Sequence, residues 1–192
     1  MNMEEIFIQT EEQRAILETV KKFVDDSILP RSAELDAKNK PEDGFSWEII
    51  EEADKLGLRT MTLEDQYNGF GADSLTTAMV VEELAKGDLG ISVVMAQTLK
   101  LAQIMDKALN DEQKARVLPE VASDPRCLLA IGITEPDNAS NYFLPYPSSF
   151  RTTAEKTDGG WVVNGMKHFI SNGNTARFYL LFVQTLKGVG LA

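Results

Sequence analysis

Two short segments contain the residues whose types and spacing could do chemistry. Gly132-Ile133-Thr134-Glu135-Pro136 joins a glycine, a hydroxyl, a carboxylate and a proline-directed turn at the end of an apolar run. A strand end of that kind presents backbone groups and one side chain to a ligand, although a plain structural turn has the same make-up and spacing alone favours it. Lys167-His168-Phe169-Ile170-Ser171-Asn172 alternates in character. As an extended strand it would put Phe169 and Ser171 on one face, with His168 and Ile170 on the other. An aromatic beside a hydroxyl suits a flat ring with a polar edge. A core phenylalanine next to a surface serine is the plainer alternative.

Other chemistries lose ground on simple counts. Cys127 is the only cysteine and His168 the only histidine, which leaves little for zinc clusters or for Cys-His and Ser-His-Asp catalysis. An intrachain disulfide is impossible with one thiol, so a reducing compartment is expected. His168 is expected on the face opposite Phe169 and Ser171, as a surface or interdomain residue. Glu82-Glu83 reads as a salt-bridging or solvated pair, and Trp47 and Trp161 as packing residues. The net charge of −11 argues against nucleic acid or an anionic membrane as the main partner. Met1 to Thr10 lacks the basic-then-apolar pattern of a signal peptide, and no apolar run reaches spanning length. The expected location is the cytoplasm.

These segments need elements to position them. A chain of 192 residues can bury a sizeable core. Thr10-Glu11-Glu12-Gln13 fits a capping box, followed by a helical stripe of Ile16, Val20, Phe23, Val24 and Ile28 that Pro30 should stop or kink. Asp36 to Gly44 reads as a loop. Ser46 caps a helix from Trp47 to Leu56, with Gly57 beyond its end. Leu58 to Gly71 is irregular, with a turn at Asn68-Gly69. A helix from about Leu75 to Gly87 precedes an apolar one, Ile91 to Leu109, of the kind usually buried all round. Asp111 should cap a last short helix, Glu112 to Leu118, before Pro119.

Near Cys127 the pattern changes to period two. Leu128 to Ile133, Arg151 to Glu155 and Trp161 to Val163 read as strands, with Thr157-Asp158-Gly159-Gly160 as a hairpin turn. Lys167 to Ser171 is expected as a fourth strand and Phe178 to Gln184 as a fifth. The fold class is therefore α+β: an all-α domain over 1–127, then an incomplete antiparallel β-barrel or sandwich domain over 128–192.

The order of segments resembles the acyl-CoA dehydrogenase family. The matching stretches are Thr10-Glu11-Glu12-Gln13, Tyr67-Asn68-Gly69-Phe70-Gly71, Glu82-Glu83-Leu84-Ala85, Asp111-Glu112-Gln113-Lys114 with Leu118-Pro119, Gly132-Ile133-Thr134-Glu135-Pro136, and Asn164-Gly165-Met166-Lys167-His168-Phe169-Ile170-Ser171-Asn172-Gly173. The resemblance implies a flavoprotein that binds FAD and carries out α,β-desaturation of acyl-CoA thioesters in fatty acid metabolism, as an oligomer, with an electron-transfer flavoprotein as acceptor. It implies flavin contacts at Ile133 and Thr134, an aromatic against the flavin ring at Phe169, and a hydroxyl near flavin N5 at Ser171. Ser140 falls at a serine that the family associates with flavin pyrophosphate and acyl-CoA, although Ala139-Ser140-Asn141 replaces Gly-Ser-Asp there. Tyr142 to Pro147 reads as an insertion. Part of the acyl pocket is implied around Val94 to Ile104.

The family's general base belongs to a C-terminal helical domain to which no segment here corresponds, so no catalytic residue is assigned. The expectation is a portion of the enzyme, inactive alone, with an exposed sheet edge near Phe178 to Val183. Alternatives are a non-catalytic subunit completing a flavin site with a partner chain, and an unrelated helical binding module.

Overall fold

The computed structural model describes residues 10–40, 42–137, 150–185 and 188–191. These fall into two compact units that meet in sequence between Arg126 and Cys127.

The helical unit begins with α1 (Glu11–Phe23). Thr10 caps it as expected, accepting from the Gln13 N–H while the Gln13 side chain returns to the Thr10 N–H. Pro30 neither stops nor sharply ends the helical path. Its ring crowds the carbonyl four residues back and it has no N–H to donate. The chain absorbs both by widening into a π-turn, Val24–Ile28, where the Leu29 N–H reaches the Val24 carbonyl. It then continues as α2 (Leu29–Asp36).

Ser46 caps α3 (Trp47–Lys55), accepting from the Ile49 N–H. Gly57 follows at φ 73°, with Gly57 N–H on the Asp54 carbonyl and Leu58 N–H on the Ala53 carbonyl. That pairing closes a helix on a left-handed glycine. α4 (Ser74–Gly87) and α5 (Leu89–Ala108) are capped by Asp73 and Asp88. The last helix, α6 (Asp111–Ser123), is capped by Asn110 rather than Asp111, and it runs through Pro119 instead of ending at Leu118. Val117, Leu118 and Val121 are all buried, so continuing the apolar face offsets the one backbone bond that proline removes.

The core of this unit includes Val20, Ile28, Ile49, Ile50, Met61, Leu84, Met95, Leu99 and Leu118. α5 is not buried all round, because Leu89 and Val93 are exposed. Arg59 is fully buried, with its Nε 2.7 Å from Asp54 Oδ1 and its Nη1 donating to the Val121 carbonyl at 2.6 Å. It ties the end of α3 to α6. No described helix is long and apolar enough to cross a membrane.

The second unit is a five-stranded sheet: β1 (Leu128–Gly132), β2 (Thr153–Thr157), β3 (Gly160–Asn164), β4 (Ala176–Thr185) and β5 (Gly188–Leu191). The expected α+β architecture is present, with mixed pairing inside the sheet. β2–β3 and β4–β5 are antiparallel, the first closing on Thr157 opposite Gly160. β1 and β4 run parallel, since a long excursion, not a hairpin, joins them. β4 is partnered by β1 over its first half and β5 over its second, so Phe178 to Val183 is paired along its length, with Tyr179 exposed on it. Among the described strands β1 and β3 end the path of paired strands; β1 is buried, whereas β3 is exposed, and Trp161, expected to pack, is open to solvent there together with Val162 and Val163.

The expected strand Lys167 to Ser171 does not form. Phe169 and Asn172 have φ of 55° and 62°, and Gly165 has φ 152°; alternation in sequence cannot make a strand across left-handed residues. A Cβ on Gly165 would come within 2.5 Å of the Thr152 Cα, so both the backbone shape and the close approach require glycine there.

Candidate functional site

β1 ends at Gly132 and hands the chain to Ile133, Thr134 and Glu135. Facing this strand end is the irregular segment 165–173, fastened to β1 and its end by four hydrogen bonds. The His168 N–H donates to the Thr134 carbonyl at 2.8 Å. Lys167 Nζ donates to the Ile133 carbonyl at 3.1 Å and to Glu135 Oε1 at 2.8 Å. Asn172 Nδ2 donates to the Leu129 carbonyl at 3.0 Å. The two motifs singled out in sequence are thus brought together, through backbone carbonyls and a buried ion pair instead of a strand ladder.

Glu135 organises this arrangement. Its side chain is 1% exposed and that of Lys167 9%. Besides Lys167 it accepts from the Arg151 N–H at 2.7 Å and the Thr152 N–H at 2.9 Å. One carboxylate therefore joins the end of β1, the approach to β2 and segment 165–173. Burial is the largest single influence on it and pushes its pKa up. The bonds from Lys167, Thr152 and Arg151 together prevail and bring it down to about 2. Lys167 Nζ also lies 4.1 Å from the centroid of the buried Phe150 ring, a favourable place for a cation taken out of water.

The ion pair is what sequence reasoning missed. Its members are 32 residues apart and become neighbours only on folding. The available signal was a lysine inside an otherwise half-apolar stretch and an acid immediately before a proline.

Phe169 is 93% exposed. An aromatic ring turned into solvent from a left-handed residue forgoes burial and carries about 1–3 kcal/mol of backbone strain. Its neighbour His168 does not lie opposite it, as alternation required. The two rings meet edge to face with centroids 5.8 Å apart, and His168 Nε2 is 3.0 Å from the Met166 sulfur. Ile133, Thr134 and Ser171 are half-buried. Ser140 and the stretch Tyr142 to Pro147 lie outside the described residues. No group of three or more metal-ligating side chains occurs among the described residues.

In the helical unit, Glu83 pairs with Lys86, the salt-bridging role expected of it. Val94 lines a cleft of about 840 Å³ together with Leu29, Ser32, Phe45, Leu89 and Ile91.

Residues 10–125 match the family model for the acyl-CoA dehydrogenase N-terminal domain. The chain is 31% identical over 182 residues to an acyl-CoA dehydrogenase of Bacillus subtilis, covering 94% of this chain and 45% of that protein. It is 31% identical over 189 residues to the short-chain specific acyl-CoA dehydrogenase of Megasphaera elsdenii, covering 96% and 47%. The crystal structure of a glutaryl-CoA dehydrogenase from Mycobacterium smegmatis in complex with FADH2 superimposes with a TM-score of 0.80 at 28% identity, over 95% of this chain and 45% of that one. The chain thus spans less than half the length of each of these relatives.

Proposed function

Because this chain belongs to the acyl-CoA dehydrogenase family, we propose that its strand end and segment 165–173 form the protein side of an FAD site serving α,β-desaturation of an acyl-CoA thioester. The observation that carries this reading is Phe169, an aromatic exposed on an anchored segment at the position the family resemblance sets against the flavin ring. An anchored segment preserves the orientation of that ring before any ligand arrives, which lowers the ordering cost of binding.

The residues present fit the group. The Thr134 and Ile133 carbonyls are already occupied by the His168 N–H and Lys167 Nζ, so this edge can offer a ligand the Thr134 hydroxyl and N–H groups. Ser171 adds a hydroxyl from the facing segment. Such donors, fixed in advance, would favour negative charge developing on a bound ring. Bound FAD would supply the acceptor for the hydride that leaves the substrate's β-carbon. The α-proton needs a base. Glu135 is not suited to that role, because it is held ionised and enclosed by three donors. We assign the base to a part of the enzyme outside the described residues, and expect the 192-residue chain alone to bind flavin without turning over acyl-CoA.

In this proposal Ser140 contacts the pyrophosphate or acyl-CoA. An electron-transfer flavoprotein reoxidises the cofactor, and a reducing compartment such as the cytoplasm suits the lone buried Cys127. The test is incubation with FAD, gel filtration and visible absorbance. Retained flavin with a perturbed spectrum is expected, with Phe169→Ala weakening binding at least about tenfold, or ~1.4 kcal/mol. Failure to retain FAD even with the C-terminal portion of a relative supplied in trans would overturn it.

A further inference from the structure

Segment 165–173 has neither helix nor strand to give it shape, yet it holds Phe169 in a left-handed conformation with its ring in solvent. Something must over-determine that geometry, because a non-glycine residue at φ 55° relaxes when its surroundings allow. The candidates are the four bonds to β1 and its end, besides the Tyr179 hydroxyl on the Gly173 carbonyl at the segment's last residue, and they are not equivalent. The His168 N–H to Thr134 bond is a single neutral contact. Asn172 grips Leu129 at the far end of the segment. Lys167 alone reaches two groups of the strand end at once, and its carboxylate partner is in turn gripped from the approach to β2.

We propose that the buried Glu135–Lys167 pair is the positioning element of the flavin-facing segment: it sets Phe169 and Ser171 against the strand end bearing Ile133 and Thr134, and through them the affinity for flavin. This rests on the reading of those four residues given above. Both members are positioning residues, acting through the segment they hold. The charge state matters because neither partner can be left alone. A buried lysine or carboxylate deprived of its counterion draws water or its own movement into the site, and the segment moves with Lys167.

The test uses the full chain in two measurements, one without ligand. Amide hydrogen exchange is followed for His168, for the β1–β4 ladder and for the helical unit, in the wild type, Lys167→Met, Glu135→Gln and the double variant. Lys167→Met is expected to speed exchange at His168 at least about tenfold with the ladder and helices unchanged, since the Thr134 bond then opens locally. The double variant, with no lone buried charge, is expected to recover part of that change. In the second measurement, FAD is titrated and followed by visible absorbance, with affinity expected to fall about tenfold in Lys167→Met and to recover partly in the double variant.

Unchanged exchange at His168 overturns the proposal, whatever happens to flavin. Equal acceleration throughout the β1–β4 ladder also overturns it, because the pair then merely holds the sheet together. Faster exchange at His168 with unaltered FAD affinity removes the link to flavin and overturns it as well. Absence of FAD binding in the wild type and in every variant, also with the C-terminal portion of a relative supplied in trans, defeats the functional reading itself, and with it this proposal's flavin claim. Exchange at His168 would still show separately whether the pair fixes the segment.

Discussion

Glu135 sits almost out of water with three donors converging on it, and the consequence is a pH-dependent stability of known sign. Its folded pKa, about 2, lies below the ordinary 4.5. Stability from its ionised form is therefore fully present above about pH 4.5 and is lost as the pH falls toward 2. The shift corresponds to roughly 3 kcal/mol. Urea denaturation of the β unit at a series of pH values is expected to show this decline, and Glu135→Gln to flatten it while lowering stability near neutrality. The neighbouring Gly165 gives a steric counterpart. A methyl group there meets the Thr152 backbone at 2.5 Å in a conformation unfavourable to L-residues, so Gly165→Ala is expected to cost at least about 2 kcal/mol by chemical denaturation. Neither residue advertises its role locally. Glu135 reads as one of the chain's 30 acidic residues, and the asparagine before Gly165 reads as the start of a simple turn.

Elements were legible wherever a local signal specifies them. The capping box at Thr10 and the Ser46 cap were read directly, because both are satisfied within four residues of their own helix. Boundaries set by distant packing were not. Pro30 and Pro119 read as stops, but the chain stays helical past both, at Pro30 through a π-turn and at Pro119 at the loss of a backbone bond, where the buried Val121 follows. The false strand at Lys167 to Ser171 failed for a related reason. Its alternation is real, but the geometry is dictated by Thr134, Ile133 and Glu135 from another part of the chain. Strand direction was equally hidden, since nothing in β1 or β4 alone states that they run parallel. Asp88 shows an element junction at work: it caps α5 through the Ile91 N–H at 2.9 Å and accepts from Ser32 Oγ at 2.6 Å. Asp88→Ala removes both bonds and should lower the stability of the helical unit by about 1–2 kcal/mol, measured by the helical circular dichroism signal in urea.

At the scale of the whole molecule the two units differ in how they manage exposed apolar surface. The exposed apolar side chains of the helical unit, such as Leu29, Leu75 and Leu89, are spread over several elements, whereas β3 is exposed along its full length and carries Trp161, Val162 and Val163 together on an open edge. Such an edge templates pairing with other chains. Light scattering of the purified chain should rise with concentration, and Val162→Lys should suppress that rise without altering the circular dichroism. The parallel pairing of β1 with β4 has a further effect, on the chain as it is being made. Leu128 leaves the ribosome roughly 50 residues ahead of its partner Ala176, an interval of about 2–10 s at ordinary rates of synthesis. The helices have their local contacts by then, but Leu128, Leu129 and Ile131 must wait without a strand beside them. During those seconds the nascent β unit therefore offers an unpaired apolar strand, the kind of surface that chaperones shield.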